Sequence, residues 1–144
     1  MRDRAVLTLA LVLFPAFAHA QAVLSCGASE RPSSMMETLK GEFRDGNFRG
    51  FLEKSGRYLS GEVANYDSYF ARMDELFPNG FDLCQTVLVR EEDPGFRQEI
   101  VLYESDAIKG PISLFLTTVI VNGREELLYF NFNSSATAIL EQLR

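Results

Sequence analysis

The chain has little of the residues on which common enzyme chemistry depends. Its 144 residues include no tryptophan, two cysteines and one histidine, His19. Because His19 lies in a segment that we expect to be removed during export, the mature chain would have no imidazole. Ser-His-Asp and Cys-His catalytic groups and histidine-containing zinc sites are therefore excluded from the mature chain. Acid–base chemistry would depend on carboxylate, tyrosine, lysine and arginine side chains, and we expect no metal and no cofactor.

An excess of basic residues and a long apolar run are also missing. Fourteen lysines and arginines stand against 20 acidic residues, for a formal net charge of −6. An acidic surface disfavours nucleic acid and anionic lipid as partners. The apolar run of residues 5–14 is about half of the roughly 20 residues that a helix needs to cross a bilayer. The sequence therefore predicts no transmembrane span.

The N-terminal segment has the order typical of a secretory signal peptide. In residues 1–20 a basic end is followed by the apolar run and by Ala18-His19-Ala20, a small-residue cleavage pattern. Asp3 separates the two arginines, which favours the general secretory route over twin-arginine export. We predict that residues 1–20 are removed and that residues 21–144 form a single domain in the periplasm or outside the cell.

The two cysteines allow two interpretations. In an exported chain, Cys26 and Cys84 most simply form a disulfide. The segment Val23-Leu24-Ser25-Cys26 also resembles the lipobox of bacterial lipoproteins, in which the cysteine is lipidated. Lipidation would anchor the protein and leave Cys84 as an odd thiol in an oxidising compartment. We predict the disulfide, and a lipid-anchored accessory subunit is the alternative.

The periodicity of apolar residues changes at Pro78-Asn79-Gly80. Before this point helical spacing predicts three short helices, at about residues 36–43, 48–59 and 62–76. After it, segments rich in β-branched and aromatic residues predict four strands, at 83–90, 97–104, 112–121 and 125–132. A final helix carries Ile139, Leu140 and Leu143. The predicted class is α+β: N-terminal short helices packed on a four-stranded antiparallel sheet of two hairpins, with a C-terminal helix.

A candidate ligand pocket follows from the first hairpin. A two-residue turn at Pro94-Gly95 would place Arg90 opposite Glu99 on the face that also carries Tyr103. There Arg90 would orient an anionic or carbonyl ligand, while Glu99 and Tyr103 handle protons or hydrogen bonds. The competing interpretation is an ordinary Arg–Glu pair at the rim of the sheet. With two tyrosines from the third helix, the candidate pocket consists of Arg90, Glu99, Tyr103, Tyr66 and Tyr69.

The second hairpin is predicted to be apolar on both faces. Asn122-Gly123 is a strong signal for a two-residue hairpin turn, which would place Leu116 opposite Tyr129. A sheet that is apolar on both sides needs cover on both sides, and the short helices cover one. We therefore expect the sheet either to curl over a cavity or to form a homodimer through its second apolar face.

The segment Phe43-Arg44-Asp45-Gly46-Asn47-Phe48-Arg49-Gly50-Phe51-Leu52 contains the end of one helix, a break, and the start of another. Together with three helices that precede a hairpin-rich antiparallel sheet, it resembles the NTF2-like (SnoaL-type, cystatin-like roll) superfamily. The resemblance implies a cavity between the helices and a curved sheet, and often a dimer through the outer sheet face. Members include isomerases, cyclases and dehydratases as well as non-catalytic binding domains, so the fold alone selects no function.

Two hypotheses about function follow. The first is a non-catalytic binding or accessory domain that acts through a protein partner or a small apolar ligand. The second is a histidine-free NTF2-like enzyme that uses Glu99, Tyr103 and Arg90. Inward-facing side chains around an enclosed cavity would favour the enzyme, and a filled core would favour the binding domain.

Overall fold

The computed structural model describes residues 26–27 and 30–143. The predicted signal peptide and residues 23–25 of the lipobox lie outside the described residues. The helices and strands are α1 (Ser34–Arg44), α2 (Phe48–Glu53), α3 (Val63–Leu76), β1 (Leu83–Glu92), β2 (Phe96–Glu104), β3 (Ile112–Val121), β4 (Arg124–Asn133) and α4 (Ala136–Leu140). Short 3-10 turns lie at Ser60–Glu62 and Glu141–Leu143. The predicted α+β class is confirmed.

No helix in the described part of the chain is long and apolar enough to cross a membrane.

Side-chain caps and a close backbone contact define the first two helices. Ser33 caps α1 by accepting a hydrogen bond from the Met36 amide, at 3.1 Å. Asn47 caps α2 in the same way, with Gly50 as the donor at 3.1 Å. Behind the break, a Cβ on Gly80 would lie 2.1 Å from the carbonyl oxygen of Arg44, so only glycine fits there. The predicted helix break at residues 45–47 is confirmed.

The second helix is shorter than the sequence predicts. It ends at Glu53 rather than near residue 59. Gly56 follows with a φ of 90°, a left-handed conformation that a helix cannot include. The chain therefore leaves the helix early and runs past β4, where Leu127 donates a backbone hydrogen bond to the Ser55 carbonyl oxygen at 3.0 Å.

The four strands form one antiparallel sheet in the order β1-β2-β3-β4. The N-terminal helices pack on one face, and aromatic rings fill the space between these helices and the sheet. Phe43 of α1 lies at the centre, with ring centroids 4.9 to 5.8 Å from those of five neighbours. These neighbours are Phe48, Phe51, Phe81, Tyr103 and Phe132. The layer where the resemblance implied a cavity is therefore packed with rings.

The opposite face of the sheet is covered at its centre by the C-terminal helix. Ile139 of α4 is fully buried against Ile100 of β2 and Phe115 of β3. Apolar burial of this kind is the main driving force that holds two layers together. α4 thus covers much of the face that we expected a curled sheet or a second copy to cover.

The predicted register of the first hairpin is wrong. The turn takes three residues, 93–95, so Arg90 pairs with Gln98, and Glu99 pairs with Val89. A slip of one residue moves a side chain to the other face of a strand. Arg90 and Glu99 therefore lie on opposite faces of the sheet. A bulge at Val87 adds one more residue to β1, so the residues before Val87 lie on the faces that the sequence predicts.

The second hairpin has the predicted turn but not the predicted pairs along its length. Asn122-Gly123 has positive φ values of 53° and 74°, as the expected type I′ turn requires. A bulge at Leu128 then adds one residue to β4. Leu116 consequently pairs with Phe130 instead of Tyr129. The extra residue moves Phe130 onto the face that packs against the helices.

Candidate functional site

The structure does not bring the five predicted pocket residues together. Arg90 is exposed and forms its ion pair with Glu92 on the same strand. Glu99 and Tyr103 are fully buried between β2 and α1. Tyr66 and Tyr69 lie elsewhere, on α3 beside β4. The residues therefore occupy three separate environments.

Glu99 belongs to a buried ion pair that was not predicted from the sequence. Its Oε2 atom lies 2.9 Å from Nζ of Lys40, and both side chains are completely buried. The Lys40 ammonium also donates to Oγ1 of Thr86 at 3.1 Å and contacts the carboxylate of Glu37. Burying charges is costly unless they are paired, so this geometry fixes α1 against β1 and β2.

Arg97 occupies the other oxygen of the same carboxylate. Its Nε and Nη2 atoms lie 2.7 and 2.6 Å from Oε1 of Glu99. Nη1 donates to the Arg31 carbonyl oxygen at 2.7 Å and contacts Glu91. We call the connected set the Glu99 ion network, and it runs from the buried Lys40, Glu99 and Arg97 out to the surface; it consists of Glu37, Lys40, Glu99, Arg97, Glu91 and Arg31. Because both Glu99 oxygens are held by cations, this carboxylate is poorly placed to accept a proton from a substrate.

The position of Lys40 in the sequence already indicates that its side chain pairs with a buried carboxylate such as that of Glu99. Lys40 lies four residues after Met36 and three before Phe43, on the apolar stripe of α1. A lysine in such a position needs a buried carboxylate. The sequence does not specify which of the 20 acidic residues supplies it.

The hydroxyl group of Tyr103 has a structural role. It donates a hydrogen bond to the Lys40 carbonyl oxygen at 3.1 Å. Burial raises the pKa of Tyr103 well above its ordinary value of 10.0, the charge of Arg44 opposes this shift, and the charges of Glu37 and Glu99 add to it. The hydroxyl therefore stays protonated at neutral pH and is enclosed by the core.

The cysteines lie at disulfide distance, with the Sγ atoms of Cys26 and Cys84 2.10 Å apart. Cys26 is buried, and its carbonyl oxygen accepts a backbone hydrogen bond from Thr86 at 2.6 Å. A sulfur atom in a disulfide cannot also carry a lipid thioether.

A surface groove of about 600 Å³ runs between the first half of α3 and the outer edge of β4. Its walls carry tyrosine rings: Tyr69 is 62% exposed and Tyr129 is 46% exposed. The Tyr66 ring packs 5.3 Å from that of Phe130 at the base. We call this surface the tyrosine groove, and it is lined by Glu62, Asn65, Tyr66, Tyr69, Tyr129, Phe130, Asn131 and Phe132.

The chemistry of the tyrosine groove suits binding better than catalysis. Tyrosine combines a large apolar ring with a polar tip, which is why it is common at binding surfaces. Asn65 and Asn131 add amide donors and acceptors, and among the described lining residues only Glu62 is charged. In the described ranges 26–27 and 30–143, no group of three or more histidine, cysteine or acidic side chains is arranged to hold a metal ion.

Comparison with known proteins assigns no family: the chain matches no protein-family model and no curated protein. The NTF2-like resemblance therefore stays a prediction, and function has to be inferred from the geometry of this chain.

Proposed function

We propose that this protein is an exported, non-catalytic binding domain and that the tyrosine groove is its binding surface. The observation that carries the proposal is the exposure of Tyr69 and Tyr129 in a groove whose described lining residues include a single charged one. Export is supported by the signal-peptide pattern of residues 1–20 and by the cysteine pair, since disulfides are typical of exported proteins.

The ligand is an apolar or aromatic group, presented by a protein partner or by a small molecule. Tyrosine rings lose little conformational entropy on binding, because they have only two rotatable side-chain bonds. The neighbouring Asn65 and Asn131 amides can orient a polar part of the same ligand. The groove volume of about 600 Å³ lies within the range of ordinary ligand sites.

The alternative of a histidine-free NTF2-like enzyme is less well supported. It would need Glu99, Tyr103 and Arg90 around a solvent-accessible cavity. Glu99 and Tyr103 are instead enclosed and paired, and Arg90 points to the other face of the sheet. The element order remains compatible with the NTF2-like superfamily, and membership with a filled interior is part of the proposal.

A homodimer through the second sheet face is also less well supported than binding at the groove. α4 covers the centre of that face with Ile139. A second copy is therefore not needed to remove those apolar side chains from water.

Fluorine NMR with a set of fluorinated aromatic and aliphatic fragments tests the proposal. Fragments should bind the wild type, and Tyr69→Ala should weaken binding about two- to tenfold, since one aromatic contact contributes about 0.5–1.5 kcal/mol. The matched control is Tyr58→Ala, which removes another exposed tyrosine ring, 47% exposed against 62% for Tyr69, outside the described groove lining. If Tyr69→Ala binds the fragments as tightly as the wild type does, or if Tyr69→Ala and Tyr58→Ala lose the same affinity, the groove is not the binding surface.

A further inference from the structure

We propose that the occupant of the tyrosine groove is an extended segment of a partner polypeptide, which adds to the sheet as a fifth strand along β4. This inference rests on the proposed function and specifies its ligand. It follows from the direction of the backbone groups along β4, from the neighbouring part of the same edge, and from the charge of the groove.

One hydrogen bond fixes the backbone direction in β3. The Ile120 amide donates to the Gly95 carbonyl oxygen in the β1–β2 turn, at 2.9 Å, so the backbone groups of Ile120 point away from β4. Backbone directions alternate along a strand, and β3 pairs with β2 without irregularity. The backbone groups of Leu116 and Leu114 therefore also point away from β4.

The partners of these residues on β4 must direct their own groups outward. Leu116 pairs with Phe130, and Leu114 pairs with Phe132. In an antiparallel pair that is not hydrogen-bonded across the ladder, both residues point their N–H and C=O groups away from each other. Phe130 and Phe132 thus present two donors and two acceptors along the base of the groove. Within the described part of the chain, no loop or helix forms a backbone hydrogen bond with them.

The first half of the same edge already holds a polypeptide segment. The Leu127 amide donates to the Ser55 carbonyl oxygen at 3.0 Å, and the Arg57 amide donates to Oε2 of Glu126 at 2.8 Å. The chain's own loop after α2 therefore covers β4 at Glu126 and Leu127, directly before the bulge at Leu128. An added strand at Phe130–Phe132 would continue this cover along the open half.

The walls of the groove favour particular side chains in the added strand. Alternate side chains of a strand point to opposite faces, so one set would contact Tyr66 and Tyr69 and the other set would lie near Tyr129. These contacts suit apolar or aromatic residues. Glu62 suits a neutral or basic neighbour. The net charge of −6 disfavours a second copy, which would bring the same charge and its own acidic residues to this edge.

The test uses twelve-residue peptides selected from a phage-displayed random library on the purified protein. The selected peptides are synthesised in two further forms, each N-methylated on one alternate set of residues. Methylating the set that faces β4 should weaken binding at least tenfold, and methylating the other set should change it little. Hydrogen exchange followed by NMR should show at least tenfold slower exchange at the Phe130 and Phe132 amides in the complex.

The outcomes separate this inference from the proposed function. If binding needs Tyr69 but both methylated forms bind equally and the two phenylalanine amides stay unprotected, strand addition is wrong and the groove remains a binding surface. If no peptide is selected, or if Tyr69→Ala binds peptides as well as Tyr58→Ala does, a peptide ligand in the groove is ruled out. The fragment experiment then shows whether the groove is a binding surface at all. If the amides become protected without peptide as the protein concentration and oligomeric mass rise, the occupant is a second copy and the inference is overturned.

Discussion

Neutralising Glu99 should destabilise the protein more than any single change to a surface charge. In Glu99→Gln the side chain keeps its shape but loses the charge that both Lys40 and Arg97 contact. Lys40 is completely buried and Arg97 is almost completely buried, so neither cation gains solvation in compensation. Breaking a buried ion pair costs about 3–5 kcal/mol. The amide oxygen can still accept one hydrogen bond, and we therefore expect a loss of about 3 kcal/mol in the free energy of unfolding.

Urea denaturation at pH 7, followed by far-UV circular dichroism because the chain has no tryptophan, measures this loss. The matched control is Asp67→Asn, which breaks the exposed pair with Arg49 and should cost at most about 1 kcal/mol. In a double-mutant cycle with Lys40→Met, the double variant should lose about 1–3 kcal/mol less than the sum of the two single losses. Equal losses for Glu99→Gln and Asp67→Asn, or strict additivity in the cycle, would refute the reasoning.

Three further predictions use the same assay. Tyr103→Phe should lower the free energy of unfolding by about 1 kcal/mol at pH 7, because it removes the hydrogen bond to the Lys40 carbonyl oxygen. Because folding raises the Tyr103 pKa, the native state keeps a proton that the unfolded chain releases above about pH 10. The wild type's advantage over Tyr103→Phe should therefore fall by about 1.4 kcal/mol per pH unit there, and a constant difference would contradict the burial of the hydroxyl. Replacing Cys26 and Cys84 together by serine should lower the free energy of unfolding by about 2–4 kcal/mol. The intact mass of the wild type should show the loss of two hydrogens, and an added lipid instead would contradict the bridge. Ile139→Ala should cost about 2–5 kcal/mol if α4 covers the second sheet face, and a loss below 1 kcal/mol would show that it does not.

The sequence predicts which helices and strands exist, because each follows from a local pattern. The stripe of Met36, Leu39 and Phe43 gives α1, and Asn122-Gly123 gives the second turn. The register depends instead on single extra residues, at the three-residue first turn and at the bulge at Leu128. Nothing in the local pattern fixes such a residue, because its position is set by how the finished layers pack. One residue is enough to exchange the two faces of a strand.

The candidate site could be predicted only in part, because its contacts join residues that are far apart in the sequence. Tyr66 and Tyr69 lie on the third helix, as predicted, but the groove residues beside them belong to β4 and do not include Arg90. Glu99 does contact a cation, but the cation is not the predicted Arg90. Its cation comes from α1, at a sequence separation of 59 residues, and short-range turn geometry cannot find a partner that far away.

The open half of β4 is difficult to explain as an ordinary edge strand. Proteins usually protect an edge with charged residues or proline, or cover it with another segment. β1 is covered at Thr86 by the Cys26 carbonyl, and the start of β4 is covered by the loop at Ser55. Residues 128–133 are Leu-Tyr-Phe-Asn-Phe-Asn, with no charge and no proline. In the part of the chain that the structure describes, no backbone hydrogen bond covers the outward groups of Phe130 and Phe132. Since an open, uncharged edge promotes aggregation, a partner strand that completes the sheet there would give this stretch the cover it needs.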